Sequence, residues 1–163
     1  MGTRNLTKVI NKDGEIVVAQ YGQWDGYPSG QGLNLLEFIS QYGMLKQIEL
    51  SLDKAYWATQ DELDLMYAGL GDKDPSVFLP SLVRDSATDI VKVLVYSTAG
   101  VPLVDDREFE NDQLFCEGVY TLDFKQRKFI SKFGKVVEFG FDELPTKEQY
   151  LMAFGYELEG VAV

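Results

Sequence analysis

The sequence predicts an α+β fold: an N-terminal β-hairpin and a C-terminal antiparallel meander in one sheet or sandwich, packed by four to five helices. Three observations carry that expectation. β-Branched runs flank an Asp-Gly turn at the start, a two-residue alternation runs late in the chain, and helical periodicity with two capping boxes fills the rest. Strands and helices come in blocks, which favours a layered α+β arrangement over an alternating parallel one. At 163 residues and 45% hydrophobic content, residues 1–163 are expected to form a single domain.

Residues 6–10 and 15–21 are joined by Asn11-Lys12-Asp13-Gly14, where Asp-Gly supplies the positive φ of a tight turn, so the two runs are expected to pair antiparallel. Residues 22–32 hold four glycines and one proline and read as a loop. Leu35, Phe38, Ile39 and Tyr42 recur at helical spacing ahead of Gly43, a candidate C′ residue, and Leu45, Ile48 and Leu52 continue the period in a second short helix. Thr59-Gln60-Asp61-Glu62 has capping-box spacing ahead of Leu63, Met66 and Tyr67, with Gly69 or Gly71 closing that helix. Pro75 and Pro80 punctuate a connector. Ala87, Ile90, Val91 and Leu94 then line one helix face, although the valine-rich middle also suits a strand. Between residues 114 and 140, alternation through Val119, Thr121 and Asp123 and through Lys128, Ile130 and Lys132, with Lys125-Gln126 as the turn, predicts a meander of two or three strands. Thr146-Lys147-Glu148-Gln149 repeats the capping box ahead of Tyr150, Leu151 and Phe154, which should dock a last helix on the sheet.

Composition closes several functional classes. The chain has no histidine, which removes Ser-His and Cys-His nucleophile pairs and every imidazole metal ligand. No metal and no cofactor are expected. The net charge of −11, from 26 acidic and 15 basic residues, repels nucleic acid backbones, so direct nucleic acid binding is not expected. Such a charge serves solubility, or it imitates a polyanion before a basic partner. Apolar runs such as residues 93–95 and 161–163 fall far short of the roughly 20 residues that cross a bilayer, so no membrane association is expected. No apolar segment follows Arg4 and Lys8 as a secretory signal requires, and Leu6 stands where myristoylation after Met1-Gly2 wants Ser or Thr. Cys116 alone makes no intramolecular disulfide, which fits the cytoplasm.

Chemistry concentrates in the stretch Gln20 to Gly32, which carries the amides Gln20, Gln23 and Gln31, the aromatics Tyr21, Trp24 and Tyr27, and the carboxylate Asp25. One role for it is recognition, with glycines letting backbone N–H groups approach a ligand and aromatic faces covering a planar ring. The other is an Ω-loop packed on itself. Neither a Walker nor a Rossmann glycine spacing is present. If the loop is a site, hairpin pairing should bring Arg4 alongside Asp25, and the ligand-binding set is Arg4, Gln20, Tyr21, Gln23, Trp24, Asp25, Tyr27 and Gln31. Asp105, Asp106, Glu108 and Glu110 form an acidic run that is either a solvated face or a row of carboxylates imitating phosphates before a partner. Neither it nor Asp72-Lys73-Asp74 has EF-hand spacing. Cys116 is expected in a strand as a small buried hydrophobe, and Asp85 or Ser86 as a helix cap.

Met1-Gly2-Thr3-Arg4-Asn5-Leu6, the loop from Ala19 to Gly32 and, more faintly, Val119-Tyr120-Thr121-Leu122-Asp123-Phe124 resemble an uncharacterised family of phages, bacteria and fungi, over about a quarter of the chain. Its phage members imply a counter-defence role in the host cytoplasm. That role is either anti-CRISPR-like inhibition of a host defence protein or binding of a small nucleotide-like signal. The layout is also similar to N-terminal nucleophile hydrolases, a likeness that implies a hydrolase site at Thr3, Arg4 and Asp25. The chemistry departs from that pattern. Removal of Met1 exposes Gly2, which has no nucleophile, and Thr3 lies one place too late to use the terminal amine as its base. The sequence therefore points to a non-catalytic binding protein. A hydrolase at the hairpin and a structural or assembly protein are the alternatives.

Overall fold

Asp13-Gly14 turns the chain where the sequence asks it to. β1 (Asn5–Ile10) and β2 (Ile16–Gly22) pair antiparallel, with Thr7 opposite Gln20 and Val9 opposite Val18, and a bulge between Val9 and Ile10 precedes the turn. Gly14 supplies φ 86°, and the Asn11 carboxamide oxygen accepts from the Asp13 and Glu15 N–H groups. This computed structural model describes residues 2–157; Met1 and residues 158–163, with the apolar run 161–163, lie outside it.

A π-helical turn, Pro28–Gly32, runs into α1 (Leu33–Ile39), followed by α2 (Met44–Ser51), β3 (Ala55–Trp57), α3 (Gln60–Leu70), the single turn α4 (Pro75–Phe78), α5 (Ile90–Tyr96) and β4 (Val101–Leu103). β5 (Gly118–Asp123), β6 (Lys128–Phe133) and β7 (Lys135–Gly140) complete the meander, and α6 (Lys147–Ala153) closes the described chain. The fold is α+β with one mixed sheet of order β2-β1-β5-β6-β7. Hairpin and meander join through a single parallel pair, with Thr7 beside Tyr120 and Val9 beside Leu122, so they form one sheet and not a sandwich. β3 and β4 make a separate parallel pair that no local signal announced.

Period-2 alternation puts Val9, Val18, Leu122 and Phe129 on one face of the sheet, where they bury against Leu35 and Leu36 of α1, Ile48 of α2, Leu94 of α5 and Tyr150 of α6. The opposite face carries Arg4, Lys8 and Tyr21 and is partly covered by the segment with the 3-10 turn Arg107–Asn111. There Phe109 meets Tyr21 edge-on at 4.8 Å, and Glu110 takes Lys8 at 3.0 Å.

Both capping boxes form, Thr59 with Glu62 and Thr146 with Gln149, and the valine-rich segment 90–96 is helical because its apolar side chains pack on the sheet. Three local expectations differ. Tyr42 is fully exposed, since the Ser40 hydroxyl bonds back to the Leu36 carbonyl at 2.6 Å and α1 stops at Ile39. Gly43, at φ 72°, opens α2 and does not close α1. Cys116 lies half-buried in the turn before β5 and not in a strand, its N–H bonded to the Asp112 carbonyl.

A candidate ligand-binding cleft

The glycine-rich loop is held by its own neighbours. Gly26 N–H donates to the Thr3 carbonyl at 3.0 Å, Tyr120 Oη donates to the Gly26 carbonyl at 2.5 Å, and Asn5 Nδ2 donates to the Trp24 carbonyl at 3.2 Å. A Cβ at Gly26 would stand 2.7 Å from the Thr3 carbonyl, and one at Gly32 would stand 2.3 Å from Tyr150 Oη. Both glycines are thus required by close approach within the fold. Asp25 takes φ 55°, and its carbonyl accepts from Gln31 N–H at 2.8 Å. The Gln31 amide accepts from the Thr88 hydroxyl and donates to the Trp24 carbonyl at 3.5 Å. Trp24 and Tyr27 remain about half exposed, at 51% and 47%, with Tyr27 resting on Phe133 at 5.6 Å. The Arg4 guanidinium lies over the Phe115 ring at 4.9 Å. The Arg4 carbonyl would stand 3.1 Å from a Cβ at Gly26, so the chain entering β1 runs beside this loop.

Gln20 and Tyr21 belong to another feature, a cleft of about 330 Å³ at the open edge of β2, lined also by Ser81, Val83, Arg84 and Asp106. An edge strand exposes unpaired backbone groups, and here they are covered. Asp106 N–H donates to the Ala19 carbonyl at 3.0 Å, Tyr21 N–H donates to Asp106 Oδ2 at 3.1 Å, and Gln23 N–H donates to the Arg84 carbonyl at 3.0 Å. The Arg84 guanidinium stacks over the Tyr21 ring at 4.7 Å, and Tyr21 Oη donates to Gln23 Oε1 at 2.6 Å. Gln20 is buried and donates through Nε2 to Ser86 Oγ at 2.7 Å, fixing the cleft floor. The loop and the cleft therefore share the Tyr21–Gln23 corner.

Partial burial raises the Asp106 pKa above the ordinary carboxylate range; the Tyr21 N–H opposes that rise, the Asp105 carboxylate adds to it and Arg84 opposes it. Hydroxyls around the cleft serve as structural donors. Ser81 Oγ donates to the Pro102 carbonyl at 2.6 Å and Ser86 Oγ to the Val83 carbonyl at 2.7 Å. Ser86 occupies the residue before the 3-10 turn Ala87–Asp89 without capping it through its side chain. Burial, with Glu110 nearby, pushes the Cys116 thiol up to about 11, away from thiolate character. Thr3 is buried.

The acidic run is built into the fold at most of its positions. Asp105 takes the Arg107 Nε at 2.8 Å, Asp106 caps the β2 edge, and Glu110 binds Lys8, while Glu108 is exposed beside Asn111. No local pattern marks Arg84, Ser81 and Val83 as cleft residues, because they come from a connector about 60 residues away from Gln20. The adjacent charges Arg84-Asp85 were the one visible mark there. Among the described residues no helix is long and apolar enough to cross a membrane, and no cluster of acidic and cysteine side chains has the makings of a metal site. Comparison with known protein families, curated proteins and solved structures gave no match.

Proposed function

We propose that this is a non-catalytic binding protein that takes a small nucleotide-like anion, one per chain, in the cleft between β2 and residues 81–84. The observation that carries the proposal is the presence of Arg84, stacked on Tyr21, and Asp106, fixed at the strand edge, in one cleft. A guanidinium stacked on a ring keeps its in-plane N–H donors for a phosphate, and a fixed carboxylate accepts from a base N–H or a sugar hydroxyl. The cleft volume suits a ligand of that size. Stoichiometric capture in place of turnover is the reading supported by the surrounding groups: the serine hydroxyls donate to carbonyls, and the one thiol is pushed away from its reactive form. Sequestration of a signalling nucleotide is the counter-defence role that such a cleft serves.

Calorimetric titration with adenosine monophosphate, and separately with inorganic phosphate, tests this. The expected result is one saturable site, affinity that falls as salt rises, and unchanged nucleotide recovered after long incubation. Arg84→Gln is expected to weaken binding about tenfold or more, the scale of one charge-assisted contact. Equal affinity in Arg84→Gln removes the proposed site. Steady consumption of the nucleotide favours the hydrolase alternative.

A further inference from the structure

Residues 53–80 begin and end against the body of the fold, at β3 and beside Val93 and Val101, and Leu70 is the only buried residue among them. The excursion is rooted at β3, where Ala58 N–H donates to the Leu103 carbonyl at 2.9 Å, and it carries α3 and α4. α3 has an apolar stripe, Leu63, Met66, Tyr67 and Leu70, at the spacing that ordinarily faces a core. Only Leu70 reaches one. Leu63 and Met66 are half-buried, Tyr67 is 45% exposed, and Val77 and Phe78 of α4 are 67% and 56% exposed. A helix of 11 residues is marginal alone in water, so the Thr59–Glu62 capping box holds in place an apolar stripe whose burial is unfinished.

The charge of the arm decides what covers that stripe, with Glu62 and Asp64 flanking it on α3. Asp53, Asp61, Glu62, Asp64, Asp72 and Asp74 stand against Lys54 and Lys73, a net charge of −4 over residues 53–80. The Lys73 ammonium lies over the Phe78 ring at 5.2 Å, so that aromatic face already accepts a cation. A second copy would bring a further −11 and the same acidic arm, and like charges facing each other oppose contact. We propose that the α3–α4 arm is a docking surface for a basic amphipathic helix of another protein. The helix would lay its apolar side on Met66, Tyr67 and Phe78 and its Lys and Arg side chains toward the arm's carboxylates, Asp64 and Asp72 among them. This surface is separate from the cleft, so the arm and the nucleotide site stand or fall independently.

A fluorescent model peptide of about 18 residues, with leucines at i, i+3, i+4 and i+7 and lysines elsewhere, is the probe. Its anisotropy is read against full-length protein, beside a scrambled peptide of equal composition and a version with glutamate for lysine. The ordered basic peptide is expected to bind, at least tenfold more tightly than either control, with affinity falling as salt rises. Tyr67→Ser with Phe78→Ser, at positions too exposed to unfold the domain, and separately Asp64→Lys with Asp72→Lys, are each expected to cost tenfold or more. Arg84→Gln and Leu114→Ser, the latter an exposed apolar residue off the arm, should leave affinity unchanged. Equal binding by the arm variants, or by the scrambled peptide, overturns the proposal. So does sedimentation showing a dimer that the Tyr67→Ser, Phe78→Ser protein loses, because the occupant is then a second copy.

Discussion

Asp25 shows how a residue chosen for its chemistry can be used for its backbone. Its φ of 55° is tolerated by Asp, whose short side chain bears the left-handed region, and its carbonyl receives Gln31. Asp25→Gly is expected to leave the melting temperature unchanged or slightly higher, and Asp25→Val to cost about 1–2 kcal/mol. Thermal unfolding of the pair checks this, and equal stability would mean that the backbone is not constrained there. Asp106 is the other instructive carboxylate. Its folded pKa is raised, chiefly by burial, so the fold favours the protonated form, and wild-type stability from this group falls as pH rises from about 4 through the folded value. Asp106→Asn keeps an acceptor for Tyr21 N–H and cannot ionise. Its melting temperature is therefore expected to gain on wild type as pH rises above about 4 and then to level off; a difference that does not vary with pH refutes the assignment. At this scale the sequence showed which residues were chemically rich. It did not show that Asp106 would turn inward to a strand edge, because that depends on β2 being left at the edge of the sheet.

Elements were legible where the signal is local. The Asp13-Gly14 hairpin, both capping boxes and the meander can be read from neighbouring residues, since turn conformation, cap hydrogen bonds and side-chain alternation are decided within a few positions. The three-residue strands β3 and β4 are too short to show a period, and their pairing joins segments more than 40 residues apart. The two caps also separate local from global stability. Thr146→Ala should lower global stability by about 1 kcal/mol, because α6 carries the buried Tyr150, whose Oη donates to Ser131 Oγ at 2.7 Å. Thr59→Ala loosens an arm with a single buried side chain, so its expected signature is faster amide exchange confined to residues 60–70, with little change in global melting temperature. A global loss equal to that of Thr146→Ala would mean that the arm is integral to the core.

At the scale of the molecule, the feature least visible in the sequence is the parallel pair between β1 and β5, which contacts residues more than 100 positions apart and yet sits at the middle of the sheet. Nothing in a local window says which two strands will be neighbours, and the same pairing decides that β2 is left at an edge with a cleft beside it. Charge is the other property of the whole chain. Five cations, Lys125, Arg127, Lys128, Lys132 and Lys135, fall within residues 125–135, so the remainder of the chain carries −16 (−11 − 5). Self-repulsion of that order opposes compaction over distances longer than any single ion pair. Against it stand ion pairs such as Lys128 with Glu138 and Lys147 with Glu37, whose side chains are 41% to 58% exposed and which are worth little each. Screening at about 150 mM salt cuts the range of both effects to about 8 Å, which removes more of the long-range repulsion than of the short contacts. The melting temperature is therefore expected to rise between about 10 mM and 150 mM sodium chloride at pH 7. It should rise less near pH 5, closer to the isoelectric point of about 4.4, where protonated carboxylates leave less repulsion to screen. A fall with salt at pH 7 would show that the ion pairs outweigh the repulsion, and Lys8→Met would then be the variant to follow, since the Lys8–Glu110 pair is the most buried of the described ion pairs.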